Sequence, residues 1–352
     1  RCKKAGITPV MITGVHRETA FAVARRLGIA DSAAQVVTGE QLERMSEAEL
    51  RKTVERCRVY ARVSPKHKSM IVEALQSKGN VVAMTGDGIN DAPSIKKADI
   101  GIAMGVSGTD VTKNASDMII SDDNFATIVL AVGEGRRIFS NIKKTIAFFL
   151  ATNLAEVLSI FIVSVLFCRF DFLLSAQLLW LNLVTDSFPV LALGMERAEP
   201  DIMERKPKRA EKAVFSKESV LSMCFFGGAI TVITLAVFFV SLALFGNATA
   251  TTMTFFTLSF AELFHAFNIR SDRQSVFRTG IFSNKALLLT VIGGIAVNIA
   301  VYAAAPLKAA LGISALTVWQ WVAVFLSALA VIPLGEIYKF FLRRRLRKKG
   351  EE

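Results

Sequence analysis

The chain has 352 residues, enough for two or three domains, with 52% hydrophobic residues and a net charge of +12. Its mean hydropathy of +0.44 is too high for an ordinary soluble protein. The basic residues gather at the ends of apolar runs, which argues against a nucleic-acid partner and for a membrane. Cys2, Cys57, Cys168 and Cys224 are widely spaced and make neither a disulfide framework nor a metal motif. The N-terminus has no long apolar core, so no signal peptide is expected there.

Residues 1 to about 140 alternate short apolar runs with helical patterns. Strands are predicted at Thr8 to Thr13, Arg58 to Val63, Val81 to Met84, Ile100 to Met104 and Met118 to Ile120. Helices are predicted at about 17–28 and from Pro65 onward. Strand–helix alternation implies a parallel sheet with helices on both faces. The densest cluster of polar chemistry is Met84-Thr85-Gly86-Asp87-Gly88-Ile89-Asn90-Asp91-Ala92-Pro93. The run Val81 to Met84 reads as a buried strand that empties into a Gly-Asp-Gly turn, with a helix starting near Pro93. Asp87, Asn90 and Asp91 then sit at the carboxyl end of a strand, where open α/β sheets place their ligands. Two carboxylates and an amide on one turn suit Mg²⁺ beside a phosphoryl group. A lone Gly-Asp-Gly would read as a solvated acidic loop.

Beyond residue 140 six segments are long enough to span a bilayer: 146–167, 174–193, 221–245, 250–268, 286–304 and 318–340. The fourth is the weakest, interrupted by Glu262 and His265; His265 is read as structural. The connection from Gly194 to Val220 carries Arg197, Arg205, Lys206, Lys208, Arg209, Lys212 and Lys217. Four further basic residues lie between Ile269 and Lys285, and Arg343, Arg344, Arg345, Arg347, Lys348 and Lys349 follow Phe341. The alternate connections hold only Arg169 and Lys308. The positive-inside rule therefore predicts a multi-pass protein with both termini cytoplasmic. Glu351 and Glu352 form no targeting signal.

A charge at mid-membrane costs about 2.5–3.5 kcal/mol on insertion scales, so the polar residues inside these segments ask for a reason. Asn153 and Glu156 lie i, i+3 in the first segment. Asn182, Thr185 and Asp186 lie i, i+3, i+4 in the second, and Pro189 follows where it can interrupt the hydrogen-bond ladder. Glu262 lies in the fourth. All six offer oxygen and none offers thiol or imidazole, which points to a hard cation such as Ca²⁺ rather than Cu⁺ or Zn²⁺. The bland reading is that such groups bind neighbouring helices together.

The ten-residue string from Met84 resembles the hinge motif of P-type ATPases, cation pumps built on a haloacid-dehalogenase-like phosphorylation domain. Asn153-Leu154-Ala155-Glu156 and Leu179-Trp180-Leu181-Asn182-Leu183-Val184-Thr185-Asp186 resemble the ion-binding spans of sarcoplasmic-reticulum-type Ca²⁺ pumps. The resemblance implies that Asn153, Glu156, Asn182, Thr185, Asp186 and Glu262 coordinate the transported Ca²⁺. It further implies that Thr13, followed by Gly14, and Lys68 hold phosphoryl oxygens. Lys68 lies in Ala61-Arg62-Val63-Ser64-Pro65-Lys66-His67-Lys68; alone, a lysine on a helix reads as a solvated surface residue. Asp87 would bind Mg²⁺, with Asn90 and Asp91 supporting the phosphate end. The fold implied is α/β plus all-α membrane: a partial haloacid-dehalogenase-like parallel-sheet domain followed by a six-helix transmembrane bundle. The expected divisions are 1–124 for the C-terminal part of the phosphorylation domain, 125–167 for a connecting helix entering the first span, 168–340 for five further spans and 341–352 for a basic tail.

Two departures accompany the resemblance. Val15 stands where the family usually has Asp after Thr-Gly, at the nucleotide end of the site. The sequence also contains no Asp-Lys-Thr-Gly-Thr, which carries the phosphate-accepting aspartate, and the Thr-Gly-Glu loop that positions water for dephosphorylation is expected to be missing; Thr38-Gly39-Glu40 is the one such string present. The expectation is the C-terminal part of a pump, inactive alone, whose partners are the lipid bilayer, the cation and the N-terminal part of the same pump. ATP would be bound mainly by that part. Competing readings are a pump for Mn²⁺, Na⁺ or H⁺, a non-catalytic membrane subunit that modulates a pump, and a membrane-anchored phosphatase. Short extracytoplasmic connections suggest a bacterial plasma membrane.

Overall fold

The computed structural model describes residues 2–167, 172–205, 215–271 and 274–349, with only the backbone of 346, 348 and 349. Arg1, Cys168, Arg169, Lys206, Lys208, Arg209, Lys212, Arg273, Glu351 and Glu352 lie outside the described residues. The chain divides into two compact units, Arg1–Glu134 with Pro200–Pro207 and Gly135–Glu199 with Lys208–Glu352.

In the first unit β1 (Met11–Ile12), β2 (Val36–Thr38) and β3 (Val59–Ala61) form a parallel sheet in the order β1-β3-β2. A second parallel sheet has β4 (Ala83–Gly86), β5 (Ile100–Met104) and β6 (Met118–Ile120) in chain order. The helices are α1 (Arg17–Arg26), α2 (Gly39–Arg44), α3 (Glu47–Arg56), α4 (Pro65–Ser77), α5 (Ala92–Lys97) and α6 (Asp110–Ala115). Capping boxes start α2 at Thr38 with Gln41 and α3 at Ser46 with Glu49, and Pro65 opens α4. Ile12 packs against the buried trio Val72, Met84 and Ile95, so the two sheets share a core.

Two expectations change. The single sheet is two three-stranded sheets, and β2 belongs to the first although its three residues give too little period to be read from sequence. The strand expected at Val81 to Met84 begins at Ala83 and runs through Gly86, and Val81 is 78% exposed. The cause is local. The Asp99 carboxylate accepts the Val82 N–H at 2.7 Å, so ladder pairing begins one residue later, with Ala83 opposite Ile100. β1 and β3 are also shorter than their apolar runs.

In the membrane half α7 (Phe125–Leu166) is one unbroken helix of 42 residues. α8 (Ser175–Trp180) and α9 (Ser187–Gly194) are joined through a π-helical turn, Leu181–Thr185. Next come α10 (Lys217–Phe245), α11 (Asn247–Ile269), the short α12 (Val276–Thr279), α13 (Lys285–Ala303) and α14 (Ala305–Ala310). α15 (Val318–Leu329) and α16 (Val331–Lys349) complete the chain. Pro333 lacks the N–H that would bond Leu329, and the helix is interrupted at Ala330. The expected tail from Phe341 is helical through Lys349. Gly246 alone connects α10 to α11, at φ +83°, a conformation glycine adopts without penalty.

Among the described residues, five helical stretches are long and apolar enough to cross a membrane: Phe125–Leu166, Ser175–Gly194, Lys217–Phe245, Lys285–Ala303 and Val318–Arg345. The fourth expected segment, 250–268, forms α11, which at 23 residues is long enough but too polar for that class. Its surroundings explain the composition. Every residue from Ala250 to Ile269 is buried, and α10, α13, α15 and α16 all pack on α11. A helix sheathed by other helices has no lipid-facing surface to keep apolar. The outer helices show the converse, with Val157, Phe161, Val240, Leu244, Leu289 and Leu326 exposed.

Candidate functional site

In the first unit β4 ends at Gly86, and Asp87 to Asp91 lead directly into α5. The Asp87 carbonyl accepts the Thr109 N–H at 3.0 Å and the Thr112 hydroxyl at 3.4 Å. Asp87 and Asn90 are exposed, whereas Asp91 is buried. A side chain at Gly86 would collide with the Asp91 carboxyl, so this close approach requires glycine. Lys68 on α4 pairs with Asp91. Its helix start is held by His67, whose Nδ1 accepts the Ser64 N–H at 3.2 Å and whose Nε2 lies 3.5 Å from Glu43. Lys68 thus joins the acidic turn. Thr13 and Gly14 lie after β1 of the other sheet, where the Thr13 hydroxyl accepts the Val15 N–H at 3.3 Å, and neither is hydrogen-bonded to Lys68 or Asp91. Val15 is 43% exposed.

The loop after β5 is braced by Asp123. Its carboxylate accepts the N–H groups of Val106 at 3.0 Å and Ser107 at 2.7 Å. Those hydrogen bonds, Val106 first, hold the carboxyl at about 2.

In the second unit three carboxylates come from three helical stretches. Glu156 on α7 is 5% exposed, and Asp186 after the π turn and Glu262 on α11 are wholly buried. The π turn places Asp186: its N–H reaches back five residues to the Leu181 carbonyl at 3.0 Å, and Pro189 supplies no N–H to the next turn. Asn182 donates to Glu156 Oε2 at 2.9 Å, and Thr152 donates to Asp186 Oδ2 at 2.9 Å. Thr185 and Ser259 share a hydrogen bond of 3.2 Å. Glu262 lies within electrostatic reach of Asp186 and Glu156. Glu156 Oε1, Asp186 Oδ1 and both Glu262 oxygens are buried without a hydrogen-bond partner. Such atoms are costly unless something else satisfies them. Among the described residues no three His, Cys, Asp or Glu side chains converge closely enough to hold a metal ion.

Five of the six oxygen-bearing residues singled out from sequence therefore gather around this interior. Asn153 does not: it is half-buried and its amide donates to the Phe149 carbonyl of its own helix at 2.8 Å. Sequence reading missed Thr152 and Ser259. Their signals were the i, i+4 spacing of Thr152 to Glu156 and the i, i+3 spacing of Ser259 to Glu262. His265 is buried between the rings of Phe148 and Phe226, at centroid distances of 5.8 and 4.5 Å.

One end of these helices is tied by a buried polar cluster. Arg270, directly after α11, donates to both Glu196 oxygens at 2.9 Å and to the Gly280 carbonyl at 2.7 Å. Asn284 donates to Glu196 Oε2 at 2.9 Å, and Asn141 on α7 donates to the Glu196 carbonyl at 2.8 Å. Lys144 pairs with Glu199 at 3.3 Å. Burial alone would raise the Glu196 carboxyl, but the hydrogen bonds from Arg270 and Asn284 outweigh it and hold the group below its ordinary value.

Two family models match the chain: haloacid dehalogenase-like hydrolase over residues 1–99, and cation transporting ATPase, C-terminus, over residues 170–341. Calcium-transporting ATPase 1 of Bacillus cereus is 42% identical over 355 residues, covering 96% of this chain and 40% of that protein. Calcium-transporting ATPase of Bacillus subtilis is 42% identical over 339 residues, covering 94% and 37% respectively. Calcium-transporting ATPase 1 of Schizosaccharomyces pombe is 41% identical over 349 residues, covering 97% and 39%. The chain spans about two-fifths of the length of the curated relatives it matches. A parallel-sheet unit ending in an acidic turn, several membrane-crossing helices, and two family matches in the same order identify a multi-pass membrane protein. The chain belongs to the cation-transporting P-type ATPase family.

Proposed function

We propose that the protein containing this chain uses ATP to move Ca²⁺ across a membrane, and that this chain supplies most of the side-chain ligands for the ion. The observation that carries the reading is the set of buried, unpartnered carboxylate oxygens of Glu156, Asp186 and Glu262, contributed by separate helical stretches. With Asn182 and Thr185 beside them, the donor set is all oxygen, as a hard cation requires. The π turn and Pro189 give Asp186 a backbone that can adjust around an ion. Asn153 can add its amide oxygen while its N–H stays on the Phe149 carbonyl.

In the first unit the exposed Asp87 carboxylate at the end of β4, with Asn90 beside it, suits Mg²⁺. Mg²⁺ would supply neutralising charge to a phosphoryl group. Lys68, now held by Asp91, provides a fixed cation, and the Thr13 hydroxyl and the adjoining Gly14 backbone are the further contacts proposed for phosphoryl oxygens. The aspartate that accepts phosphate from ATP, and most of the ATP site, belong to the part of the protein upstream of this chain. The basic connections support a reading in which both ends of this chain are cytoplasmic, and the short alternate connections support a bacterial plasma membrane.

The test is ATP hydrolysis by the full-length protein in proteoliposomes, titrated with Ca²⁺, Mn²⁺ and Na⁺. Micromolar Ca²⁺ activation that Glu156→Gln and Asp186→Asn each weaken, with folding intact, supports the reading. Activation by another ion alone overturns Ca²⁺ as substrate. Unchanged Ca²⁺ activation in both variants removes these residues from the site.

A further inference from the structure

α13 and α15 both pack on α11, and between them a groove of about 580 Å³ opens at the surface of the helical unit. One wall is the stripe Tyr302, Ile299 and Ile295 of α13, spaced back by three and seven. The other is Val318, Trp321 or Val322, and Phe325 of α15, spaced forward by three or four and seven. Each stripe is one helix face. Seven residues of helix extend about 10 Å, so the groove runs inward from the loop end of both spans. Phe260 of α11 forms its floor.

The mouth of the groove differs from its interior. Tyr302 is held there because its hydroxyl accepts the Leu316 N–H at 2.9 Å. The Lys308 ammonium lies 4.4 Å from the centroid of the same ring. Lys308 is the only charged residue between Ala303 and Thr317. An apolar slot along the span, an aromatic rim at the depth where tyrosine and tryptophan gather, and one cation without an acid on its loop make a charge-complementary seat.

We propose that this groove binds one acyl chain of an anionic phospholipid whose phosphate lies on Lys308. The lipid belongs to the leaflet on the side of the α13–α15 loop. Its chain lies along the open side of two spans whose rings Tyr302 and Trp321 meet at 5.0 Å, and Lys308 selects the headgroup.

The test uses the full-length protein in vesicles of phosphatidylcholine or phosphatidylglycerol carrying brominated acyl chains, which quench a tryptophan only on contact. The Trp321 signal is the quenching lost in Trp321→Phe. The expected result is an about fivefold preference of that signal for brominated phosphatidylglycerol, the worth of one lysine at a membrane surface. The preference should vanish in Lys308→Gln and persist in Lys308→Arg. Equal quenching by both lipids in the parent overturns the headgroup site. No Trp321 quenching by either lipid means that protein covers the groove, and overturns the proposal.

Discussion

Removing Arg270 should damage the membrane half more than removing the whole ion pair to which it belongs. Arg270 is 2% exposed and Glu196 5%, and two parallel hydrogen bonds of 2.9 Å join them. In Arg270→Met the Glu196 carboxylate stays buried with Asn284 as its remaining side-chain donor, and the Gly280 carbonyl loses its 2.7 Å partner. An uncompensated buried charge of this kind costs about 3–5 kcal/mol. At about 3 °C per kcal/mol for a unit of this size, the melting temperature should fall by about 10 °C. Adding Glu196→Gln removes the stranded charge and should recover about 2 kcal/mol. The assay is residual monodisperse protein after heating in detergent, for the parent, both single variants and the double variant. Strictly additive losses, or an Arg270→Met variant that melts like the parent, would refute the reasoning. The pH dependence has a definite sign. Because the Glu196 carboxyl lies below its ordinary value in the folded protein, the contribution is complete above the ordinary carboxylate range. It is lost as pH falls through the folded value.

Gly86→Ala drives a methyl group into the Asp91 carboxyl and should cost about 1–3 kcal/mol. Phosphoenzyme formation should fall with it, and full phosphorylation in Gly86→Ala would contradict the packing described for the turn. Amide exchange at Val106 and Ser107 should stay protected above the ordinary carboxylate pKa and be lost as pH falls towards about 2, because the Asp123 value is depressed in the folded state. Loss of protection already near 3.8, the ordinary value, would argue against those hydrogen bonds. A Gly-Pro insertion near Ile138 interrupts α7 within its 42-residue course. ATPase should then continue without stoichiometric transport; fully coupled transport would show that helix continuity is not the link.

Much of the membrane half was legible because hydropathy and charge act over long windows. Five apolar stretches became helices that suit a bilayer, and the i, i+3, i+4 rule put Asn182, Thr185 and Asp186 on one short stretch. The acidic turn after β4 was legible for a local reason: glycine and aspartate at fixed offsets demand a tight turn whatever surrounds it. Other features depended on neighbours. The polarity of α11 reads as a weak span until its burial beneath four helices removes the need for an apolar surface. Val81 reads as strand until the Asp99 side chain takes the Val82 N–H. The bond from the Asn153 amide N–H to the Phe149 carbonyl of its own helix is likewise a matter of the fold. Arg270 and Glu196 are 74 residues apart, and no local pattern announces their pairing. Periodicity and turn chemistry act within one or two turns of chain, so the sequence by itself determined the longer elements and the oxygen-rich residue set, and its motifs carried the family resemblance. Contacts between residues distant in sequence arise only on packing. Tertiary structure alone therefore decided which carboxylates share an interior, which charges are paired, and where two spans leave a groove.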